Sequence, residues 1–504
     1  MTLGRTRSIA LAGLSGHLVD IEADIASGLP AMVLIGLPDA SLGESKDRVR
    51  SAIVNSGSSM PPTRVTINLS PASLPKQGSG FDLAIALAIL AGAGQAPAES
   101  IARCVHLGEL ALDGRLRPIA GVLPAVVAAR DAGITRIMVP AGNRAEAELV
   151  PGIEVVAVAS LAHALRAHGA DIAVPGVEVL SPPADTETGP STRDLSDIVG
   201  QPDVVEALIT AAAGGHHMFL LGPPGAGKTM VAERLVDVLP DLTPDESLEV
   251  TSIASLSRVA KTSSLMTRPP FVAPHHTATA VAIVGGGSGM IRPGAVSRAS
   301  RGVLFLDEAP EFAVTVLDAL RQPLESGDIE IHRAHHSARF PARVQLVLAA
   351  NPCPCGKSGV ADSTCVCTPD RRRRYLSRLS GPILDRIDIH VAVSRVARAQ
   401  LFDTSVIRTT TTEARARVAA ARATAAERWG LARPDSTHLR VGRFRLPATA
   451  VRSLDAALDR GALSMRGYDR VLRIAWTLAD CDGETVPTAD HVGRALYLRQ
   501  GVPA

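Results

Sequence analysis

Lysine is scarce in this chain. Of 52 lysines and arginines, only Lys46, Lys76, Lys228, Lys261 and Lys357 are lysine, a bias of composition that carries little functional weight. Charge of either sign is also not in excess: the formal net charge is +2 over 504 residues, so no whole-protein field announces a nucleic-acid partner. No apolar run is long enough to span a bilayer. The longest uncharged apolar run, Leu83 to Gly94, falls short of the ~20 residues a spanning helix needs. The N-terminus lacks a basic-then-apolar signal segment, so a cytoplasmic protein without membrane contact is expected. Six cysteines in such a chain argue against a disulfide framework and for thiols or metal. What is plentiful is apolar: 46% hydrophobic against 20% charged residues suits sizeable cores, not disorder. The length suits about three domains.

One stretch organises the rest. Gly222-Pro223-Pro224-Gly225-Ala226-Gly227-Lys228-Thr229 fits the phosphate-loop pattern G-x-x-x-x-G-K-[ST] without mismatch. His217 to Leu221 reads as a buried strand entering the loop. Met230 to Leu239 reads as a helix leaving it, stopped by Pro240. Glycines let the backbone wrap a polyphosphate so that successive N–H groups, through Met230, face the anion. Lys228 would reach the β- and γ-phosphates of ATP, and the Thr229 hydroxyl would ligate Mg²⁺. A glycine turn before an ordinary helix is the bland alternative, and the strand and helix on either side argue against it.

Two further strands complete the set. Gly302-Val303-Leu304-Phe305-Leu306-Asp307-Glu308 is an apolar strand ending in two carboxylates, the Walker B arrangement. Asp307 would hold the Mg²⁺ and Glu308 would orient and polarise the attacking water. Val344 to Ala350 ends in Asn351, which would sit between the other two strand ends and bind the γ-phosphate or the water. Otherwise it merely caps the turn at Pro352.

Residues 1–174 alternate strand-like segments (Ala31–Gly36, Arg64–Leu69, Ile137–Val139) with helix-like ones (Ser45–Ser56, Phe81–Ala91, Leu123–Ala132). Pro75-Lys76-Gln77-Gly78-Ser79-Gly80-Phe81-Asp82 and Gly108 to Pro118 resemble the proteolytic domain of Lon-type proteases. The resemblance implies a serine where this chain has Gly80 and an activating lysine where it has Leu123. A leucine is no base, so a non-proteolytic Lon-like α+β domain is expected. Residues 175–193, rich in Pro, Gly, Ser, Thr and acids, read as a linker.

Phosphate loop, Walker B and Asn351 together identify the AAA+ superfamily. Gly381 to Asp388 resembles the box that carries the arginine finger in magnesium chelatases and MCM helicases, which implies that Arg386 reaches the γ-phosphate of a neighbouring subunit. Ser464-Met465-Arg466-Gly467 resembles the second sensor, with Arg466 favoured over Arg470 and Arg473. A structural salt bridge is the alternative for each. With Phe271-Val272-Ala273-Pro274-His275-His276, Gly285 to Gly289 and Leu320 to Glu325, the chain resembles the YifB/ComM family of magnesium-chelatase-like AAA+ ATPases over essentially its full length. The resemblance implies an insertion in the second helix of the core from about 268 to 300, a homo-oligomeric ring, hexameric in the family's pattern, and ATP-driven branch migration of DNA. The histidines at 275, 276, 332, 335 and 336 read as scattered surface imidazoles.

Cys353-Pro354-Cys355 and Cys365-Val366-Cys367 form C-x-C-x₉-C-x-C, which suits a structural tetrahedral Zn²⁺ although the pair spacing is tighter than usual. A redox pair or free thiols remain open. Residues 369–443 hold sixteen arginines against seven acids, beginning with Arg371-Arg372-Arg373-Arg374. These would track a branched or single-stranded DNA backbone, or line a solvated helix face and subunit contacts.

The expected fold class is α/β. A Lon-like (ribosomal S5 domain 2-like) domain at 1–174 precedes a P-loop AAA+ αβα core at 194–395, and a helical lid follows at 396–504. Three functions compete: a DNA branch-migration motor, a chelatase motor subunit, and a Lon-like protease. The first leads. The D-x-S-x-S pattern of the chelatase's metal-adhesion partner is absent, and Gly80 and Leu123 argue against the protease.

Overall fold

The computed structural model describes residues 2–36, 40–74, 76, 78–181, 193–257, 263–287, 291–333, 337–358, 365–401, 407–430 and 439–501. Pro75, Gln77, the linker residues 182–192, Ser288, Gly289, His335 and His336 of the sequence reading lie outside the described residues.

The N-terminal unit is built on β1 (Thr2–Ala12), β2 (Ser15–Ala26), β3 (Ala31–Ile35), β4 (Arg64–Ser70), β5 (Val105–His106), the small hairpin β6 (Glu109–Leu110) and β7 (Leu116–Arg117), β8 (Arg136–Pro140) and β9 (Glu154–Val158). Seven of them form one sheet in the order β3-β4-β2-β1-β5-β8-β9, antiparallel around β2 and parallel elsewhere. In β2, Val19, Ile21 and Ala23 are buried and alternate with Asp20, Glu22 and Asp24; β4 repeats this with Val65, Ile67 and Leu69. Period two with one wet face is what a covered antiparallel sheet requires. Helix Asp82–Gly92 lies across β1 and β2 with every residue buried, as its apolar composition on all sides demands.

The long β1–β2 hairpin is absent from the sequence reading. Its inward face on β1 is polar, with Thr6 and Ser8 buried. Their hydroxyls are satisfied by one residue: Thr6 Oγ1 lies 2.7 Å from His106 Nδ1, and Ser8 Oγ donates to the His106 carbonyl at 2.9 Å. A strand whose core face is hydroxyls shows no hydrophobic alternation.

The nucleotide-type core carries β10 (Met218–Leu221), β11 (Phe271–Val272), the hairpin β12 (Gly285–Gly286) and β13 (Arg292–Pro293), β14 (Val303–Leu306), the hairpin β15 (Asp328–His332) and β16 (Ser337–Pro341), β17 (Gln345–Ala350) and β18 (Ile389–Ala392). The parallel sheet runs β11-β14-β17-β10-β18. β14 and β17 are buried at every residue, as a sheet covered by helices on both faces requires. β11 pairs with β14, so residues 271–272 belong to the core sheet. The insertion proper is therefore narrower than 268–300: the β12–β13 hairpin, between helices Ala280–Val284 and Ala295–Arg298.

Helices Thr411–Trp429, Ala448–Asp459, Met465–Asp482 and Ala489–Gln500 form the C-terminal unit. Its core is continuous with the sheet's inner face and includes a cluster of Trp429, Phe444 and Trp476. Thr488 caps the last helix as its sequence predicts, accepting from His491 N.

The N-terminal unit seats on the core through helix Pro244–Ser257. Buried Glu146 accepts from Leu123 N at 3.2 Å, from Asn143 Nδ2 at 3.0 Å and from Ser255 Oγ, and Gly121 N donates to Ser255 O at 3.1 Å. A small apolar cluster of Leu256, Ile291, Ala338 and Phe340 meets Leu11 near the end of β1 and Leu14 of the β1–β2 turn. Leu123 is thus fully buried in this joint, and Ser79 Oγ is tied to the Glu109 carboxylate.

Candidate functional site

Three parallel strands end at one place. β10 runs into the loop 222–227, β14 into Asp307-Glu308, and β17, between them, into Asn351. Gly225 and Gly227 turn the loop at φ 75° and 94°, in the left-handed region where a Cβ is unfavourable. Helix Lys228–Val238 starts at the second of them, so its unpaired N–H groups face the loop's concave side.

Lys228 is buried, and its ammonium donates to Gly222 O at 2.7 Å, Pro223 O at 3.0 Å and Asn351 Oδ1 at 3.0 Å. Burial lowers its pKa, while Asp307 and Glu308 oppose the shift. Thr229 Oγ1 donates to Asp307 Oδ2 at 3.0 Å, bringing together the two oxygen ligands expected for Mg²⁺. Asp307 Oδ1 accepts from Glu308 N at 2.9 Å. Glu308 is half exposed and adopts φ 51°, ψ 42°, a left-handed conformation that costs a non-glycine residue about 1–3 kcal/mol. Two groups absent from the sequence reading also hold the loop: Gln201 Nε2 donates to Ala226 O at 3.2 Å and Arg395 donates to Pro224 O at 3.2 Å. Both lie far from the loop in sequence, and nothing local to either marks the contact.

A second group of residues leans on this site. Cys353 Sγ lies 3.3 Å from Cys355 Sγ and 3.8 Å from Cys365 Sγ, and Cys355 Sγ lies 3.6 Å from Cys365 Sγ. The four sulfurs, Cys367 included, all fall within 4.8 Å of one another. The Cys355 thiol is drawn down to about 6, chiefly by the Lys357 backbone N–H and then by Cys353. A side-chain carbon on Gly356 would stand 2.5 Å from Pro224 Cγ, so the cysteine loop lies directly on the phosphate loop. Thr368 then caps helix Pro369–Leu376, which carries the four arginines. Tyr375, buried on that helix, hydrogen-bonds the Asn351 backbone, and burial pushes its phenol up to about 12. Arg371, Arg373 and Arg374 are exposed, whereas Arg372 donates to Ser358 Oγ at 3.1 Å.

Arg386 and Arg470, of the remaining arginines, have partners away from this loop. Arg386 donates to Pro382 O at 2.6 Å and pairs with Glu325, with its side chain 12% exposed. Arg466 is exposed, while Arg470 pairs with buried Asp388 at the opposite, N-terminal end of β18. Asp388 also accepts from His217 N at 3.1 Å and lies 3.4 Å from His216 Nδ1. Burial alone would raise its pKa, but the hydrogen bond and charge of His216, with Arg470 and His217, hold it well below the usual carboxylate range.

His275 and His276 are not scattered: their ring centroids lie 4.1 Å apart with the planes tilted, and His276 Nδ1 lies 3.5 Å from Glu308 Oε2. In the N-terminal unit, Cys104, His106 and His168 are buried together. Each ring nitrogen there already has a partner, with His106 Nε2 2.9 Å from His168 Nε2 and Ser100 Oγ 2.9 Å from His168 Nδ1. They form a neutral hydrogen-bonded chain, and burial lowers both imidazoles, His168 to about 4. Among the described residues, no helix is long and apolar enough to cross a membrane.

Comparison with known proteins bears on this geometry. Residues 194–401 match the family described as magnesium chelatase, subunit ChlI; residues 21–143 match subunit ChlI of Mg-chelatase, and residues 408–499 its C-terminal family. The chain is 50% identical over 509 residues to an uncharacterised protein of Mycobacterium tuberculosis, covering 99% of both. It is 40% identical to competence protein ComM of Haemophilus influenzae over 502 residues, covering 99% of this chain and 98% of ComM. It is 38% identical to YifB of Escherichia coli over 504 residues, covering 99% and 97%.

Proposed function

The chain belongs to the YifB/ComM family of magnesium-chelatase-like AAA+ ATPases, and on that footing we propose that it is the protomer of a ring motor that uses ATP hydrolysis to move branched DNA. ATP and Mg²⁺ supply the phosphoanhydride and the cation that neutralises its charge. The residues present fit them: a wrapped loop of N–H donors, a lysine already gathered to it, and paired hydroxyl and carboxylate oxygens at 3.0 Å. Lys228 holds the phosphates, Thr229 and Asp307 hold the cation, Glu308 polarises water, and Asn351 aligns it from the strand between. Arg386 engages its own chain's Glu325 rather than its own phosphate loop. That supports a finger serving the adjacent subunit of a homo-oligomer.

The observation that carries the DNA reading is continuity. Pro224 of the phosphate loop touches Gly356 of the cysteine loop, whose Ser358 holds Arg372, and Tyr375 ties the same helix to Asn351. A helix face of exposed arginines is thereby mechanically joined to the groups that sense the γ-phosphate. Three sulfur separations of 3.3–3.8 Å match the ~3.8 Å edge of a tetrahedron with Zn–S near 2.3 Å. Cys353, Cys355, Cys365 and Cys367 would hold Zn²⁺ as a rigid link in this path. The competence name of one relative points the same way.

The test is a labelled four-way junction. Strand exchange should require hydrolysable ATP and vanish with Glu308→Gln, which still binds nucleotide. Binding should weaken steeply with salt, and replacing Arg371 to Arg374 together should flatten that slope, because each phosphate contact releases condensed counterions. A folded, ATP-hydrolysing ring that neither binds branched DNA at low salt nor moves the junction would refute the reading. The chelatase-motor alternative, favoured by the ChlI description of the matched family, would then take its place.

A further inference from the structure

Among the described residues, two that are not glycine adopt a left-handed backbone, Arg301 at φ 65° and Glu308 at φ 51°. They bracket β14, the strand that delivers Asp307 and Glu308. Side chains other than glycine persist in that region only where surrounding contacts hold them there. Glu308 belongs to the site already described, whereas Arg301 lies at the far end of the strand.

The contacts that hold Arg301 come from two directions. Its backbone N donates to Arg343 O at 2.8 Å, and Arg343 N donates to Ser300 Oγ at 3.3 Å, so the starts of β14 and β17 are tied together. Its guanidinium grips helix Pro244–Ser257. Nε and Nη2 donate to the two oxygens of Glu249 at 3.0 and 3.3 Å, and Nη1 donates to Glu246 at 2.9 Å. The fork is bidentate, and Arg301 and Glu249 are only 22% and 24% exposed, which sets it apart from a solvated surface pair of little consequence.

The same helix carries the N-terminal unit. Six residues beyond Glu249, about 9 Å along the axis, the Ser255 carbonyl accepts from Gly121 N and its hydroxyl donates to Glu146. A second contact reaches the same place. Gly13 of the β1–β2 turn bridges Arg339 on β16, so closely that a side-chain carbon on Gly13 would collide with Arg339 O. β16 then leads through Arg343 into β17. Both paths from the N-terminal unit converge on the junction of Arg301 and Arg343. From there β14 and β17, buried at every residue, run to Asp307, Glu308 and Asn351. A close-packed strand moves as one piece, so a shift at its start displaces the groups at its end.

We propose that Arg301 is a positioning residue through which the seating of the N-terminal unit sets the rate of ATP hydrolysis. While Glu246 and Glu249 hold Arg301, β14 presents Asp307 to Thr229 and Glu308 to the water. Unseating the N-terminal unit slows turnover without touching the nucleotide. The proposal rests on the roles assigned above to Asp307, Glu308 and Asn351.

The experiment measures kcat and KM for ATP on the full chain. Arg301→Gly removes the fork while glycine adopts a positive φ freely, so a purely local role for residue 301 would leave activity intact. The expected result is instead a kcat lower by about fivefold or more, with KM within about twofold. Glu249→Ala, which leaves the backbone at 301 unaltered, should do the same, and it keeps the comparison alive should the glycine variant fold poorly. Ser255→Ala, at the other end of the helix, should lower kcat by about twofold or more in the wild-type background and have no further effect in Arg301→Gly, because both interrupt one path. Wild-type kcat in both Arg301→Gly and Glu249→Ala overturns the proposal. So does a Ser255→Ala change that is silent in the wild-type background, or that lowers kcat by the same factor in both backgrounds. A wild-type chain that binds ATP without hydrolysing it, or an active Glu308→Gln, would instead sink the site assignment beneath it.

Discussion

Replacing Arg470 with alanine should loosen the joint between the core and the C-terminal helices. Arg470, on helix Met465–Asp482, pairs with Asp388, which is 5% exposed at the start of β18. At about 4 Å and an effective dielectric near 20, a unit charge pair is worth about 4 kcal/mol before desolvation. Removing one partner of a buried pair costs about 3–5 kcal/mol, because the remaining charge stays buried. Asp388 keeps two other partners, His217 N at 3.1 Å and His216 Nδ1 at 3.4 Å. A cost at or just below the bottom of that range is therefore expected, roughly 2–3 kcal/mol. The chain's two tryptophans report the event well. Trp429 and Trp476 lie 5.4 Å apart in the helical unit, and Trp476 shares a cavity with Asp388 and Arg470. Denaturant titration followed by tryptophan fluorescence should give an earlier midpoint for Arg470→Ala. A double-mutant cycle with Asp388→Asn should return a coupling of about 2 kcal/mol. The sign with pH is also determined. The Asp388 pKa is depressed in the fold, so its stabilisation is present above the unfolded value near 3.9 and is lost as pH falls through the folded one. A cycle coupling below about 0.5 kcal/mol would refute the argument.

If Arg386 acts on a neighbour, Arg386→Ala alone should be nearly inactive yet recover partly when mixed with Lys228→Ala. No recovery in mixed rings that demonstrably form would count against the trans role. Cys353→Ser should lower the zinc content of purified protein from about one per chain and lower its thermal midpoint; unchanged metal content and midpoint would leave the four thiols without a structural role. The buried His106–His168 pair should make the N-terminal unit acid-sensitive. Both pKa values are lowered in the fold, so stability is complete above the unfolded value near 6.5 and is lost as pH falls toward the folded value, about 4 for His168. For His168 alone this amounts to on the order of 3 kcal/mol. His168→Gln should flatten the stability-versus-pH curve between pH 6.5 and 4, and an equally steep variant would exclude the pair as the cause.

Local chemistry wrote the loop and its flanks into the sequence. A left-handed turn needs Gly225 and Gly227, a phosphate anion needs Lys228, and an all-buried parallel strand needs runs such as Val303 to Leu306. Each of these demands acts within a few residues, so a linear pattern displays it. Strand β1 showed no hydrophobic alternation because Thr6 and Ser8 are made fit for burial by His106, about a hundred residues on; β2 does alternate and was simply not read. The arginines divide for the same reason. Arg386, Arg466 and Arg470 look alike in a string, and only Glu325, open solvent and Asp388 tell them apart. His276 read as a surface imidazole until sheet order set it against Glu308, on the side of β14 away from the phosphate loop. A polar side chain's role is decided by the partner that offsets its desolvation, and that partner is chosen by the tertiary fold.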